Sequence, residues 1–384
     1  MSDSIQSLTD LLARASSRRF LDAVPEEDLG ISDHLTFPFL ALVGQQEMKL
    51  ALLLTLINSN VGGVLLIGPR GTGKTTAVRS LVDLMPDVAR SRCRYGCLPE
   101  DIEAWGLDAV CPECAQRYGE GESLTYTDQV RLIELPLNSR LEDVVGGLDE
   151  RAAVHNRLRL KRGLLARADR NLLYVDEVNL LGDDIVDAIL DAAAQGNYTV
   201  HRGPLSATYR SRFSLIGSMN PEEGQLRPQI LDRFGLRVIV RGLKDRQERF
   251  EAYQRSVEFL DNPNRLVSSY AEGTIQVREE LAVAKDAMRQ VTLSAEAEKL
   301  GLDLIEQLGV ESLRAEITLF EAAKAHAIAD GRKEASPEDI QIIAPMALRL
   351  RRSSFIRDYL DDQSQEEEEL GHLIKELRDS KDHD

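Results

Sequence analysis

Between about residues 40 and 243, short unbroken apolar runs alternate with longer amphipathic stretches. That alternation predicts a parallel sheet with crossover helices. Leu50 to Leu54, resuming at Leu56 and Ile57, reads as a core helix. Val64-Leu65-Leu66-Ile67 reads as a buried strand. Thr76 to Met85 follows as a helix with Ala77, Val78, Leu81, Val82 and Met85 on one face, ended by Pro86. Leu172-Leu173-Tyr174-Val175 is a second buried strand. Asp183 or Asp184 can cap the next helix, whose stripe runs through Ile185, Val186, Ile189 and Leu190 and stops at Gly196. Tyr198 to Tyr209 reads as a hairpin turning at Arg202-Gly203-Pro204, and Phe213 to Ile216 and Leu236 to Val240 as the third and fourth strands. Beyond Lys244 the strand signal disappears. Ser312 to Asp330 is expected as a helix with Leu313, Ile317, Phe320 and Ile328 inward and Gly331 as its C-cap. Ser336-Pro337-Glu338-Asp339 starts another, with proline at the first position and acids in the first turn. The expected organisation is a polar arm over 1–34, an α/β domain over 35–245, an all-helical domain over 246–360 and an acidic tail over 361–384.

Composition changes this picture little. With 384 residues, 43% of them hydrophobic and 29% charged, the chain is long enough for two domains with a real core. The net charge of −17 argues against bulk electrostatic binding of nucleic acid, which needs a basic surface. From Asp361 to Asp384 ten acids face three bases, so that segment carries −7 of the total. No stretch approaches the roughly 20 apolar residues of a membrane span. The first twenty residues have no hydrophobic signal core and already carry Asp3 and Asp10, so a cytoplasmic location is expected.

The candidate chemistry is concentrated. Gly68-Pro69-Arg70-Gly71-Thr72-Gly73-Lys74-Thr75 fits G-x-x-x-x-G-K-[ST] in full, between a buried strand and an amphipathic helix. Glycines let backbone N–H groups close around phosphate, and the helix N-terminus, continuing into Thr76, adds its positive end. Lys74 is expected on the β- and γ-phosphates of ATP and Thr75 on Mg2+. Asp176-Glu177 ends the second buried strand. Asp176 is expected to assist the magnesium and Glu177 to polarise the attacking water.

All four cysteines lie close together, in the spacing C-x3-C-x13-C-x2-C: Cys93, Cys97, Cys111 and Cys114. Two close pairs suit a tetrahedral Zn2+ site that clamps an insert over about 90–120. Redox thiols, an iron–sulfur cluster and plain free cysteines remain alternatives. Trp105, between the pairs, reads as loop core. The six histidines show no ligand spacing.

Three further stretches carry a family resemblance. Phe37-Pro38-Phe39 with Val43-Gly44-Gln45-Gln46-Glu47-Met48-Lys49-Leu50-Ala51-Leu52 is one. Tyr174-Val175-Asp176-Glu177-Val178-Asn179-Leu180-Leu181 is the second. The third is Gly217-Ser218-Met219-Asn220-Pro221-Glu222-Glu223-Gly224, followed by Leu226-Arg227-Pro228-Gln229 and Leu231-Asp232-Arg233-Phe234-Gly235. Over roughly 36–350 the chain resembles magnesium chelatase I subunits, which are AAA+ P-loop ATPases.

The resemblance implies that Asn220 is the sensor of the γ-phosphate or attacking water. It implies that Arg233 is an arginine finger supplied to a neighbouring subunit, and Arg314 a second sensor arginine. It further implies a ring, of the hexameric kind, and two nucleotide-responsive projections: the hairpin, and a helix insert over Leu135 to Asp149 with Gly146-Gly147. The implied partners are a D-type subunit with a von Willebrand A domain and a porphyrin-binding H subunit; from charge and hydropathy, no nucleic acid and no membrane are expected. The implied task is ATP-driven insertion of Mg2+ into protoporphyrin IX in (bacterio)chlorophyll synthesis. The cysteine set departs from many members of that group. It keeps open a chelatase-like ATPase that remodels a von Willebrand A-type partner without porphyrin. A scaffold holding ATP as a structural ligand is disfavoured by the presence of Glu177, Asn220 and Arg233.

Overall fold

The computed structural model describes residues 35–148, 160–224 and 226–351. The expected N-terminal arm, acidic tail, end of the helical domain and Asp149 lie outside the described residues. The described residues from Thr36 on pack as one compact unit.

In chain order the strands are β1 (Val64–Ile67), β2 (Val88–Ser91), β3 (Thr125–Asp128), β4 (Leu132–Leu135), β5 (Gly146–Leu148), β6 (Leu160–Arg162), β7 (Leu172–Val175), β8 (Asn197–Arg202), β9 (Leu205–Arg210), β10 (Ser214–Met219), β11 (Leu236–Ile239), β12 (Thr292–Leu293) and β13 (Glu334–Ala335). Five of them form a parallel sheet in the order β11-β1-β10-β7-β4. The expected strands at 64–67 and 172–175 sit inside it, because a strand covered on both faces needs apolar residues at every position. The period of two then sorts them. Val64 and Leu66 face one core, with Tyr174, Ile216, Leu236 and Val238. Leu65 and Ile67 face the other, with Leu173, Val175, Leu215 and Phe234.

The helices Gln46–Ile57, Pro263–Ala287, Leu313–Ala329 and Pro337–Leu348 belong to the first core. The helix Asp183–Gln195 packs in the second. Because the first core runs from the sheet into the C-terminal helices, burial ties the two parts together. No helix among the described residues is long and apolar enough to cross a membrane.

Several expectations need correction. The helix after β1 is α-helical only over Lys74–Arg79 and tightens to a 3-10 helix over Ser80–Leu84. There Ser80 Oγ donates to the Ala77 carbonyl at 2.8 Å, and Arg278 Nε donates to the Asp83 carbonyl at 3.0 Å, so those acceptors are satisfied without α-helical partners. Gly182, not an aspartate, is the N-cap of Asp183–Gln195, and Asp183 and Asp184 favour the helix dipole from the first turn. Leu313 and Ile317 point outward, 70% and 47% exposed, because the buried face of their helix is alanine-rich: Ala315, Ala322, Ala323, Ala325 and Ala327. Small residues let the neighbouring helices approach closely and leave the bulky ones to the surface. Trp105 is 81% exposed, so it is not loop core. The strand signal does not end at Lys244: β12 and β13 form a short parallel pair.

Candidate nucleotide site

The Gly68–Gly73 loop leaves the C-terminal end of β1 and enters the Lys74–Arg79 helix. Gly68 is sterically required: a Cβ there would lie 2.1 Å from the Val240 carbonyl oxygen. Gly71 and Gly73 take φ of +75° and +84°, left-handed values that glycine adopts without penalty, and open space surrounds both. The loop is therefore a cradle of backbone N–H groups with room for phosphate. Lys74 is buried and folds over the loop, its Nζ donating to the carbonyls of Gly68 (2.7 Å) and Pro69 (2.8 Å). Burial lowers its pKa, opposed by the nearby carboxylates of Asp176, Glu177 and Glu223. A phosphate would offer this ammonium a better partner than two neutral carbonyls.

β10 stands between β1 and β7, so Asp176 and Glu177 sit one strand away from the loop. Tyr174 bridges the two expected magnesium ligands. Its hydroxyl donates to Asp176 Oδ1 at 2.8 Å and lies 3.1 Å from Thr75 Oγ1. A phenol has one proton, so Thr75 must be the donor in its own contact with Tyr174, which leaves oxygen lone pairs of Thr75 free for a cation. Burial raises the Tyr174 pKa, which keeps that proton in place. Ser218 Oγ also donates to Asp176 and accepts the Glu177 N–H at 3.1 Å. Two oxygen ligands thus held, beside a phosphate cradle, fit Mg2+, which takes one or two protein oxygens and completes its shell with phosphate and water.

Glu177 is itself left-handed, at φ 49°. Its Oε1 accepts from Arg70 at 3.0 Å, and Arg70 also pairs with Glu223 at 2.5 Å. Arg70, expected among the phosphate-binding loop residues, is thus engaged with carboxylates, and these hold its pKa up, the Glu177 hydrogen bond most of all. Asn220 is buried at the end of β10, and its Oδ1 accepts the Glu222 N–H at 3.2 Å, capping the turn Pro221–Glu223. The amide of Asn179, two residues beyond Glu177, is buried with no hydrogen-bond partner among the described residues.

The two arginines expected to read nucleotide are not brought to this end of the sheet. β11 runs parallel to β1, with Leu236 opposite Val64, so Asp232 and Arg233, just before it, lie at the sheet's N-terminal end. The nucleotide loop leaves the C-terminal end. Arg233 pairs with Asp191 at 2.7 Å and Asp187 at 3.8 Å on the Asp183–Gln195 helix. Arg314 reaches Asp232 at 3.4 Å and is half exposed. Asp232 is a hub: Arg351, whose side chain is fully buried, pairs with it at 2.7 Å, buried Arg237 at 3.8 Å, and Ser312 Oγ donates to it at 3.0 Å. Burial and the like charge of Arg351 push the Arg237 pKa down to about 9.

Sequence reasoning missed the far wall of the cleft. A cavity of about 560 Å³ opens beside Gly71, Thr72 and Thr76, and is walled by Phe37, Leu42, Val43, Leu243 and Arg249. Its size suits a nucleotide-sized ligand, with an apolar wall for a base and a loop for phosphates. Val43-Gly44-Gln45 belongs to a stretch that carried the family resemblance but had no role read from its residues. At Gly44 (φ +60°) a Cβ would lie 2.6 Å from Leu243. Tyr174, a strand residue that opens the second resemblance stretch, had no role read from its hydroxyl; a single hydroxyl in an aliphatic run beside Asp176-Glu177 was the available signal.

Away from this cleft, the Sγ atoms of Cys93, Cys97, Cys111 and Cys114 all lie within 4.8 Å of one another. The expected hairpin forms from β8 and β9, turning at Gly203-Pro204. In the expected helix insert, Leu141–Val145 is helical and β5 pairs antiparallel with β6.

A family model described as "Magnesium chelatase, subunit ChlI" matches residues 148–230, and one described as "AAA lid domain" matches 303–373. The magnesium-chelatase 38 kDa subunit of Acidiphilium rubrum is 41% identical over 328 residues, 85% of this chain and 93% of that protein. The magnesium-chelatase subunit ChlI homolog of Methanocaldococcus jannaschii is 38% identical over 346 residues, 89% of this chain and 92% of that one. Among solved structures, a putative ATPase from Cytophaga hutchinsonii aligns with a TM-score of 0.51 at 20% identity, over 82% of this chain and 84% of that one. That last likeness is one of fold.

Proposed function

Because the chain belongs to the magnesium chelatase I-subunit family, matching a relative over 93% of its length, we propose that it is the ATP-hydrolysing motor of a magnesium chelatase. It would work in the cytoplasm and drive insertion of Mg2+ into protoporphyrin IX within a larger enzyme. The observation that carries this reading is the phosphate cradle with Thr75, Tyr174, Asp176 and Ser218 in one hydrogen-bonded chain beside it.

In this reading the loop N–H groups and Lys74 bind the ATP phosphates, and Lys74 exchanges its two carbonyl partners for them. Thr75 and Asp176 would hold magnesium, which neutralises phosphate charge when bound. Glu177 polarises the attacking water, and Asn220 positions it or the γ-phosphate. Arg233 and Arg314 act across a subunit interface. Their position at the opposite end of the sheet from their own loop supports this, as does the exposed Leu313 and Ile317 beside Arg314. Such a site is complete only in a ring, and we take the ring to be a hexamer. Partners of the D type, with a von Willebrand A domain, and a porphyrin-binding H subunit would sense the nucleotide through differential contacts with its two states.

The test is capture of partners from source cells with the Glu177→Gln protein held in ATP, with Lys74→Ala as the bait that should capture none. Recovery of D-type and H-type subunits is the expected result. A von Willebrand A-type protein alone, with no tetrapyrrole enzyme, would transfer the function to a chelatase-like motor. Absence of ATP hydrolysis by the wild-type chain, with or without its partners, would overturn the motor itself.

A further inference from the structure

The segment between β2 and β3 has only a small apolar core of its own. Its own core consists of Cys97, Ile102, Cys114 and Leu124, with Cys93, Tyr95, Val110 and Cys111 packed around them. A unit of that size buries too little apolar surface to stay folded alone and usually needs a covalent or metal staple. Half of this core is cysteine, and all four thiols are free.

We propose that Cys93, Cys97, Cys111 and Cys114 bind one structural Zn2+. Four sulfurs, two from the turn after β2 and two from the start of the helix Pro112–Gly119, converge within 4.8 Å of one another. A tetrahedron with zinc–sulfur bonds of about 2.3 Å has edges of roughly 3.8 Å, so a small contraction closes the site. An iron–sulfur cluster interposes irons and sulfides between its cysteines and holds them farther apart than a single ion does. The backbone is arranged for charged sulfur. The Cys97 N–H donates to Cys93 Sγ at 3.4 Å, the Cys111 N–H to Cys97 Sγ at 3.3 Å, and the Ser91 hydroxyl to Cys93 Sγ at 3.4 Å. Such donors outside the coordination shell fix ligands and offset their negative charge. Four protein ligands leave no open position, so the ion would hold structure and perform no chemistry. On binding, each thiol gives its proton to solvent and its sulfur lone pair to the metal.

The stapled segment braces the β8–β9 hairpin. Tyr95 stacks on Tyr209 with centroids 5.7 Å apart, and the Arg210 N–H donates to the Tyr95 carbonyl at 3.3 Å. Buried Asp101 pairs with Arg210 at 3.0 Å. Gly96 packs so closely on Arg210 that a Cβ would come within 2.8 Å of it. Zinc therefore also fixes the base of the hairpin.

The test uses the full-length purified chain. Elemental analysis should find about one zinc per chain in the wild type and in Lys74→Ala, and loss of most of it in Cys97→Ser and Cys114→Ser. Cys111→His, which keeps a permitted ligand, should retain it. If the serine variants fail to fold, cobalt exchanged into the wild type decides, since a tetrahedral four-thiolate site has its own visible spectrum. Removing the metal should speed amide exchange over 197–210 while the P-loop strand stays protected. Metal-free protein with four titratable thiols, iron with acid-labile sulfide, or an octahedral cobalt spectrum would each overturn the proposal.

Discussion

Tyr174 shows how much one hydroxyl can organise. Its proton goes to Asp176 and its oxygen receives the Thr75 proton, so both expected magnesium ligands are oriented before any cation arrives. Tyr174→Phe keeps the ring in the core and deletes only this bridge. Loss of the two hydrogen bonds of this hydroxyl, about 1 kcal/mol net at the magnesium site, should raise the Mg2+ concentration needed for half-maximal ATP hydrolysis roughly fivefold. A Mg2+ titration of ATPase activity reads this. An unchanged midpoint with only a lower melting temperature would assign Tyr174 to packing alone.

At the scale of elements, the C-terminal helices are locked by one carboxylate. Asp339, 1% exposed, accepts from Arg332 at 2.7 and 2.6 Å and from the Ser336 N–H at 2.7 Å, and meets His326 Nδ1 at 2.5 Å. It thereby joins Leu313–Ala329 to the start of Pro337–Leu348. Burial alone would raise its pKa. Arg332, the Ser336 N–H and His326 outweigh that and hold it well below the usual carboxylate range. A depressed folded pKa means that the contribution is complete above the unfolded value, about 3.9, and fades as pH falls below it. Asp339→Ala should cost about 3 kcal/mol at pH 7, as breaking a buried pair does. The difference from wild type should shrink below pH 4 in denaturant titrations; a pH-independent difference would refute the electrostatic account.

Much of this architecture was legible in the sequence, for a physical reason. A central parallel strand is apolar at every position, so Val64–Ile67 and Leu172–Val175 stand out, and the capping box of Ser336 and Asp339 is local. What was not legible depends on partners distant along the chain. Leu313 and Ile317 look like core until the alanine face of the same helix takes that place. β12 and β13 have two residues each, too few for any period. Trp105 was expected inward because it lies between the cysteine pairs, but the cysteines themselves fill that small core. In the candidate site, the loop and Asp176-Glu177 could be found by motif. The cleft wall at Leu42, Val43, Leu243 and Arg249 could not, since those residues meet only through the fold.

For the whole molecule, Arg233 and Arg314 lie away from their own nucleotide loop, and the proposal that they act on a neighbour's nucleotide predicts hydrolysis shared between chains. Arg233→Ala should bind ATP with unchanged affinity and lose hydrolysis. Glu177→Gln should behave likewise. Mixing the two should restore part of the activity, because some interfaces then combine an intact Glu177 with an intact Arg233. Assembled mixed rings with no recovery would place both residues at the same nucleotide of the same chain.

The left-handed backbone of Glu177 also bears on how this chain can drift under mutation. A side chain such as glutamate at φ 49° carries a conformational penalty on the order of 1 kcal/mol, which asparagine or glycine would largely escape. Replacing the glutamate also removes its ion pair with Arg70, but that pair is exposed on the arginine side and of small value. Glu177→Asn should therefore leave the melting temperature equal or higher while abolishing turnover. Heat tolerance and activity pull this one codon in opposite directions. A lineage relieved of the need to hydrolyse ATP would be expected to lose the glutamate early, while its P-loop still bound nucleotide.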